Sequence, residues 1–150
     1  MKTLHAEYIS SVVDKEMRKV TIQKAIDCLR EHRKKFDVIV FTGLSGALIG
    51  PVVADALDCQ FIAVRKDGDG SHSGFRCEGI PVEDNFRYII IDDIIATGHT
   101  FRQIISALDE SRQCKGMLAG IYLYSASQIC NRSSIEYDFQ APIWGEYPNF

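Results

Sequence analysis

Two adjacent carboxylates, Asp92 and Asp93, close the apolar run Tyr88-Ile89-Ile90-Ile91, and after two isoleucines comes Ala96-Thr97-Gly98-His99-Thr100. Paired acids at the mouth of a strand accept hydrogen bonds from vicinal hydroxyls such as those of ribose, and they can meet a hard cation through water. The stretch that follows leads straight into a helical pattern. Backbone N–H groups at a helix start converge with the positive end of its dipole and form an anion site. Gly98 permits close approach and unusual dihedrals there, and Thr97 and Thr100 add hydroxyls. A sugar on the acids and a phosphate in the turn together make a ribose 5-phosphate. The plainer alternative is an ordinary strand-to-helix turn with an aspartate cap, and the length of the whole string favours the ligand.

The elements that must position these residues are visible as periodicities. Residues 7–13 have the pattern of a short edge strand. Charges crowd residues 14–35 while Met17, Val20, Ile26 and Leu29 recur at roughly helical spacing, which predicts an amphipathic helix with a solvated basic face. Strands are predicted at 37–43, 60–66, 86–92 and 116–126. Helices are predicted at 46–57 and at 100–112, the second with the apolar stripe Phe101, Ile104, Ile105 and Leu108. Residues 67–84 carry four glycines and no periodicity, as a functional lid or binding loop would. The tail, 127–150, has little periodicity but holds the large aromatics Trp144, Tyr147 and Phe150. Alternating strands and helices with continuously apolar strands imply an α/β domain around a central parallel sheet flanked by helices. Ligands bind such sheets outside the carboxyl ends of the strands, where Thr42-Gly43-Leu44-Ser45-Gly46, the stretch from Arg65 and the 92–100 string all fall.

The chain has 150 residues, enough for one domain, with 46% hydrophobic and 25% charged residues, an ordinary globular composition. A net charge of −3 argues against nucleic acid as a partner. Five cysteines without a C-x-x-C pair fit thiols in a reducing compartment. No signal-peptide pattern opens the chain, and no apolar run approaches the ~20 residues of a membrane span. A soluble, cytoplasmic protein without membrane contact is expected.

The string Ile89–Thr100 resembles the phosphoribosyl-pyrophosphate (PRPP) motif of type I phosphoribosyltransferases, a hydrophobic run followed by D-D and then a-T-G-G-T or a close variant. TGLSGALIGPVVADAL, from Thr42, is similar to the family's pyrophosphate loop and following helix, particularly in adenine-type members. The segment from Phe61 to Gly74 is similar to the strand, basic pair and flexible loop that come next. The resemblance covers about residues 37–125. It implies a core over that range, a flexible lid at about 67–84, and a small hood from the termini, 1–13 and 127–150. It implies transfer of the 5-phosphoribosyl group of PRPP to a nitrogenous base, a purine, with release of pyrophosphate, as in purine salvage. Asp92 and Asp93 would bind the ribose hydroxyls and Ala96, Thr97, Gly98, His99 and Thr100 the 5-phosphate. Leu44, Ser45, Gly46, Arg65 and Lys66 would hold pyrophosphate with Mg²⁺, which PRPP itself mainly carries, with water linking it to Asp92 or Asp93. The resemblance also implies a homodimer, and a non-proline cis peptide in the turn 43–46.

His99 stands where many members have glycine, and Leu44-Ser45 stands where many carry an arginine or lysine. The second departure leaves open a non-catalytic module that binds PRPP or a nucleotide on the same fold. A receiver-like phosphate-binding domain accommodates the 96–100 turn poorly. Gly43, Gly46 and Gly50 match neither a dinucleotide fingerprint nor a P-loop. No G-x-S-x-G elbow surrounds Ser45 or Ser73, and His5, His32 and His72 lack metal-ligand spacing. The aromatic tail supplies the expected base platform, with Trp144 or a near neighbour stacking on the base, and the alternative for Trp144 is packing of the tail against the core.

Overall fold

Six strands form one sheet in the order β3-β2-β1-β4-β5-β6. They are β1 (Val38–Thr42), β2 (Gln60–Val64), β3 (Cys77–Glu78), β4 (Arg87–Asp92), β5 (Met117–Leu123) and β6 (Ile143–Gly145). The computed structural model describes residues 1–70, 72–82, 85–111, 115–125 and 132–145. All pairings are parallel except that of β2 with β3. The predicted parallel sheet is thus extended by one antiparallel edge, and a two-residue strand lies inside the stretch expected to be structureless. Cys77 and Glu78 pair with Val64 and Ala63, so the sheet holds the 67–84 segment at those two residues.

The helices are α1 (Ser10–Val13), α2 (Lys15–Glu31), α3 (Gly43–Ala47), α4 (Gly50–Ala56), α5 (His99–Glu110) and α6 (Arg132–Phe139). Asp14 starts α2 because its carboxylate accepts from the Glu16 and Met17 amides at 3.0 and 2.9 Å. Ala25, Ile26 and Leu29 are buried, whereas Met17 and Val20, nearer its start, are exposed. The predicted helix over 46–57 is two short helices. Residues 7–13, expected as an edge strand, form a 3₁₀ turn (Glu7–Ile9) followed by α1. Ile9 and Val12 are buried, at the three-residue spacing of a helix, and that contact prevails over the local β-branched pattern.

Alternation along the strands divides the core. Val38, Val40, Tyr88 and Ile90 pack with Phe101, Ile104 and Leu108 of α5 on one face. Ile39, Phe41, Ile89 and Ile91 pack with residues of α2 and α4 on the other. No helix among the described residues is long and apolar enough to cross a membrane. In the tail, where the sequence shows little periodicity, α6 and β6 lie within 132–145, and residues 126–131 and 146–150 lie outside the described part.

Candidate active site at the carboxyl ends of the strands

A cavity of about 320 Å³ opens at the carboxyl ends of β1 and β4. It is lined by Thr42, Leu44, Ser45, Lys66 and the whole run from Asp92 to Phe101, with Ile9 closing one side. Two strand ends that are distant in sequence therefore meet there. The Thr42 hydroxyl donates to the Val64 carbonyl at 2.7 Å, which ties the end of β1 to that of β2. Gly43 then turns with φ +65°, and the Lys66 side chain lies across it: a β-carbon at position 43 would stand 2.6 Å from Lys66 Cε and 3.0 Å from Nζ. The left-handed dihedral favours glycine there, whereas the flexible end of the lysine could move aside.

Asp92 and Asp93 are each 6% exposed. The ladder between β4 and β5 continues past them, since the Tyr124 and Ser125 amides donate to the Asp92 and Asp93 carbonyls at 3.1 and 3.0 Å. Asp92 Oδ1 accepts from the Ser45 hydroxyl at 2.7 Å and from the Asp93 amide at 2.9 Å. Burial, followed by the neighbouring Asp93, pushes the Asp92 carboxyl up to about 7, and the Ser45 and Asp93 hydrogen bonds oppose this. The site thus holds an acid poised near neutrality beside a second acid.

One end of the cavity is built by the start of α5. Gly98 takes φ +81° at the cap and has no side chain to cover the opening amides. A β-carbon there would come within 3.1 Å of Arg102 and Phe139. The His99 amide is held by Thr97 Oγ1 at 3.3 Å, and Arg102 donates to the Thr97 carbonyl at 2.8 Å. Arg102 in turn lies over the Phe139 ring, 5.4 Å from its centroid, so α6 buttresses the turn from behind.

Of the residues singled out in the sequence, Asp92, Asp93, Ala96, Thr97, Gly98, His99, Thr100, Leu44, Ser45 and Lys66 all line this cavity. Gly46, Arg65 and Trp144 do not. Gly46 is pressed on Phe41, where a β-carbon would stand 2.6 Å from Phe41 Cβ, so it serves the packing of α3 on β1. Arg65 is bonded to the Phe75 carbonyl and to Glu78, both at 3.2 Å, and so fastens β3 to β2. Trp144 stacks on His32 with ring centroids 4.2 Å apart, and its ring covers Gly120 on the α2 side of the sheet. Trp144 therefore takes the packed alternative, outside this cavity. The described residues contain no cis peptide bond, so the unusual backbone of the 43–46 turn is confined to Gly43.

Sequence reasoning missed Ile9, Arg102 and Tyr124. Tyr124 donates its phenol to the Ser45 carbonyl at 2.8 Å. The one signal for it was its position near the carboxyl end of the predicted strand 116–126, where ligands bind.

No family model matches the chain. An adenine phosphoribosyltransferase of Clostridium novyi is 30% identical over 115 residues, 65% of this chain and 63% of the relative. Another, of Brachyspira hyodysenteriae, is 30% identical over 129 residues, 75% of this chain and 74% of the relative. The chain belongs to the type I phosphoribosyltransferase family. An orotate phosphoribosyltransferase of Thermus thermophilus is also 30% identical, over 117 residues covering 78% of this chain and 61% of the relative. Across several adenine phosphoribosyltransferases the chain spans about half to two thirds of the relative's length. Among solved structures, the Saccharomyces cerevisiae adenine phosphoribosyltransferase complexed with adenine and an imino-altritol bisphosphate aligns with a TM-score of 0.59 at 27% identity. That alignment covers 83% of this chain and 77% of the yeast chain. The orotate phosphoribosyltransferase of Aeropyrum pernix aligns at 0.68 over 89% of this chain and 72% of its own, at 13% identity, a likeness of fold. The six-stranded, mostly parallel sheet of this phosphoribosyltransferase-family chain is the fold expected from its sequence.

Proposed function

We propose that this chain is a PRPP-dependent phosphoribosyltransferase that joins the 5-phosphoribosyl group to a purine and releases pyrophosphate. The observation that carries this reading is one cavity lined at once by Asp92, Asp93, the 96–100 turn and Lys66. The two acids receive the ribose hydroxyls, and the opening amides of α5 receive the 5-phosphate. Leu44, Ser45 and Lys66 flank the pyrophosphate. As the bond from the anomeric carbon to pyrophosphate stretches, positive charge grows on the sugar and negative charge on the leaving group. Carboxylates beside the first and Lys66 beside the second lower the barrier to separation.

The donor set fits Mg²⁺. Two hard carboxylates at the cavity, with no cluster of three or more His, Cys, Asp or Glu among the described residues, suit an ion that takes most of its ligands from substrate phosphates and water. When bound, Mg²⁺ would neutralise and orient the pyrophosphate.

Relatives named for adenine at 30% identity support a purine, and those named for orotate define the competing base. A second reading, a PRPP- or nucleotide-binding module without turnover, is favoured by the 43–46 turn itself. It carries no cation, and its one hydroxyl is bonded to Asp92. Incubation with Mg-PRPP and, separately, adenine, hypoxanthine, guanine and orotate decides between them, with pyrophosphate release and the product mass as readouts. Base-dependent release with a purine is expected. Release with orotate alone refutes the purine, tight binding without release supports the module, and absence of PRPP binding overturns both.

A further inference from the structure

We infer, resting on the phosphoribosyl reading above, that Asp67 is a positioning residue: tied to α5, it sets Lys66 across the 43–46 turn. Lys66 follows β2 as an exposed residue, and an exposed lysine is a flexible stem that disperses over many rotamers. Its side chain nevertheless lies over Gly43, with Cε 2.6 Å and Nζ 3.0 Å from where a β-carbon would stand. A local turn accounts for part of this. The Lys66 amide donates to Asp69 Oδ2 at 3.2 Å, and the Asp69 amide to the Lys66 carbonyl at 3.1 Å. Those bonds fix the shape of the turn but not its place over the cavity.

Asp67 supplies that placement. Gln103 Nε2 donates to its Oδ2 at 3.0 Å, and Arg76 Nη2 pairs with its Oδ1 at 2.8 Å. Arg76 also reaches Glu110 at 3.6 Å, while its carbonyl accepts from the Arg65 amide at 2.8 Å. Both carboxylate oxygens of Asp67 are thus held, one by α5 directly and the other through an arginine paired with α5. Gln103 stands one helical turn after His99, so the helix whose start lines the cavity also grips the residue next to Lys66. PRPP carries its 5-phosphate and its pyrophosphate on one ribose, and a single helix governing both ends keeps their spacing. The same bonds hold the Asp67 carboxylate off the neighbouring ammonium. Lys66 Nζ makes no ion pair among the described residues.

The experiment compares wild type with Asp67→Ala, Gln103→Ala, Lys66→Ala and the double variant Gln103→Ala/Lys66→Ala. Asp67 is exposed and Gln103 half-buried, so neither replacement opens the core. In the ligand-free protein, a proton Overhauser contact between the Lys66 ε-methylene and the Gly43 α-protons is expected. It should fall at least about twofold in Asp67→Ala and in Gln103→Ala, and an unchanged contact overturns the inference. Calorimetric titration with pyrophosphate in excess Mg²⁺ should show each of these two variants binding roughly three- to fivefold more weakly, with ribose 5-phosphate affinity unchanged. The sign is decisive for Asp67→Ala, because deleting a carboxylate beside an anion site strengthens binding by charge alone. Tighter or unchanged pyrophosphate binding in that variant therefore refutes the positioning role. The double variant should bind pyrophosphate like Lys66→Ala, and losses that add would place the effect of Gln103 elsewhere and overturn the inference. A parallel loss of ribose 5-phosphate affinity would mean a distorted start of α5 and overturns it too. If wild type binds neither pyrophosphate nor ribose 5-phosphate, the phosphoribosyl reading fails, while the Overhauser contact still decides whether Asp67 places Lys66.

Discussion

Replacing Asp92 by asparagine should stabilise this protein at neutral pH while weakening its hold on the sugar. The carboxyl is 6% exposed and is pushed up from an ordinary 3.8 to about 7, first by burial and then by Asp93. A carboxyl whose folded value exceeds its unfolded one binds its proton more tightly in the folded state. The cost to stability is absent below 3.8, grows as pH rises through that window, and is complete above about 7. Some three pH units at 1.36 kcal/mol each set a ceiling of ~4 kcal/mol. Asparagine keeps Oδ1, so the Ser45 hydroxyl and the Asp93 amide retain their acceptor and only the charge is lost. At about 2–4 °C per kcal/mol, the Asp92→Asn protein should melt as much as ~8–15 °C above wild type at pH 8, and close to it at pH 4. Calorimetric melts of both proteins from pH 4 to 8.5 measure the gap, and Mg-PRPP titration should show a loss of roughly tenfold or more. A melting difference that does not grow with pH, or unchanged PRPP affinity, would refute the reasoning.

Lys66→Ala should weaken pyrophosphate binding by about tenfold and flatten its salt dependence, whereas Arg65→Ala, which breaks a half-exposed pair with Glu78, should leave it nearly unchanged. Equal losses in the two would restore Arg65 to the site. Trp144→Ala should lower stability by ~2 kcal/mol in chemical denaturation, since the ring is packed on His32 and over Gly120, and should leave nucleotide affinity intact. Selective loss of base binding would return Trp144 to the pocket. Gly98→Ala forces a side chain into a left-handed cap against Arg102 and Phe139, so it should cost ~1–2 kcal/mol and weaken phosphate binding. Unchanged phosphate affinity in a Gly98→Ala protein would argue that the turn is not the anion site.

The sequence by itself determined β1, β2, β4, α5 and β5, because their apolar residues recur with the period of a strand or a helix and period is a local property. It also singled out the two acids and the 96–100 turn, which line one cavity. That chemistry lies within the thirteen residues from Tyr88 to Thr100, and one strand-to-helix connection positions them all. Tertiary structure decided everything that depends on which distant segments meet. Arg65 and Lys66 are neighbours of one charge, yet only Lys66 reaches the cavity, because Arg65 is bonded to Phe75 and to Glu78 beside the short strand β3. Trp144 looked available until β6 paired with β5 and brought its ring onto His32. Residues 7–13 carry a strand-like pattern but coil into a 3₁₀ turn and α1, since burying Ile9 and Val12 outweighs a weak local preference. The ring joining Tyr124, Ser45 and Asp92 spans separations of 47 and 79 residues, and no local pattern encodes it. Local sequence sets which elements form, but a side chain's hydrogen-bond partner is set by what the packed sheet brings within 3 Å of it.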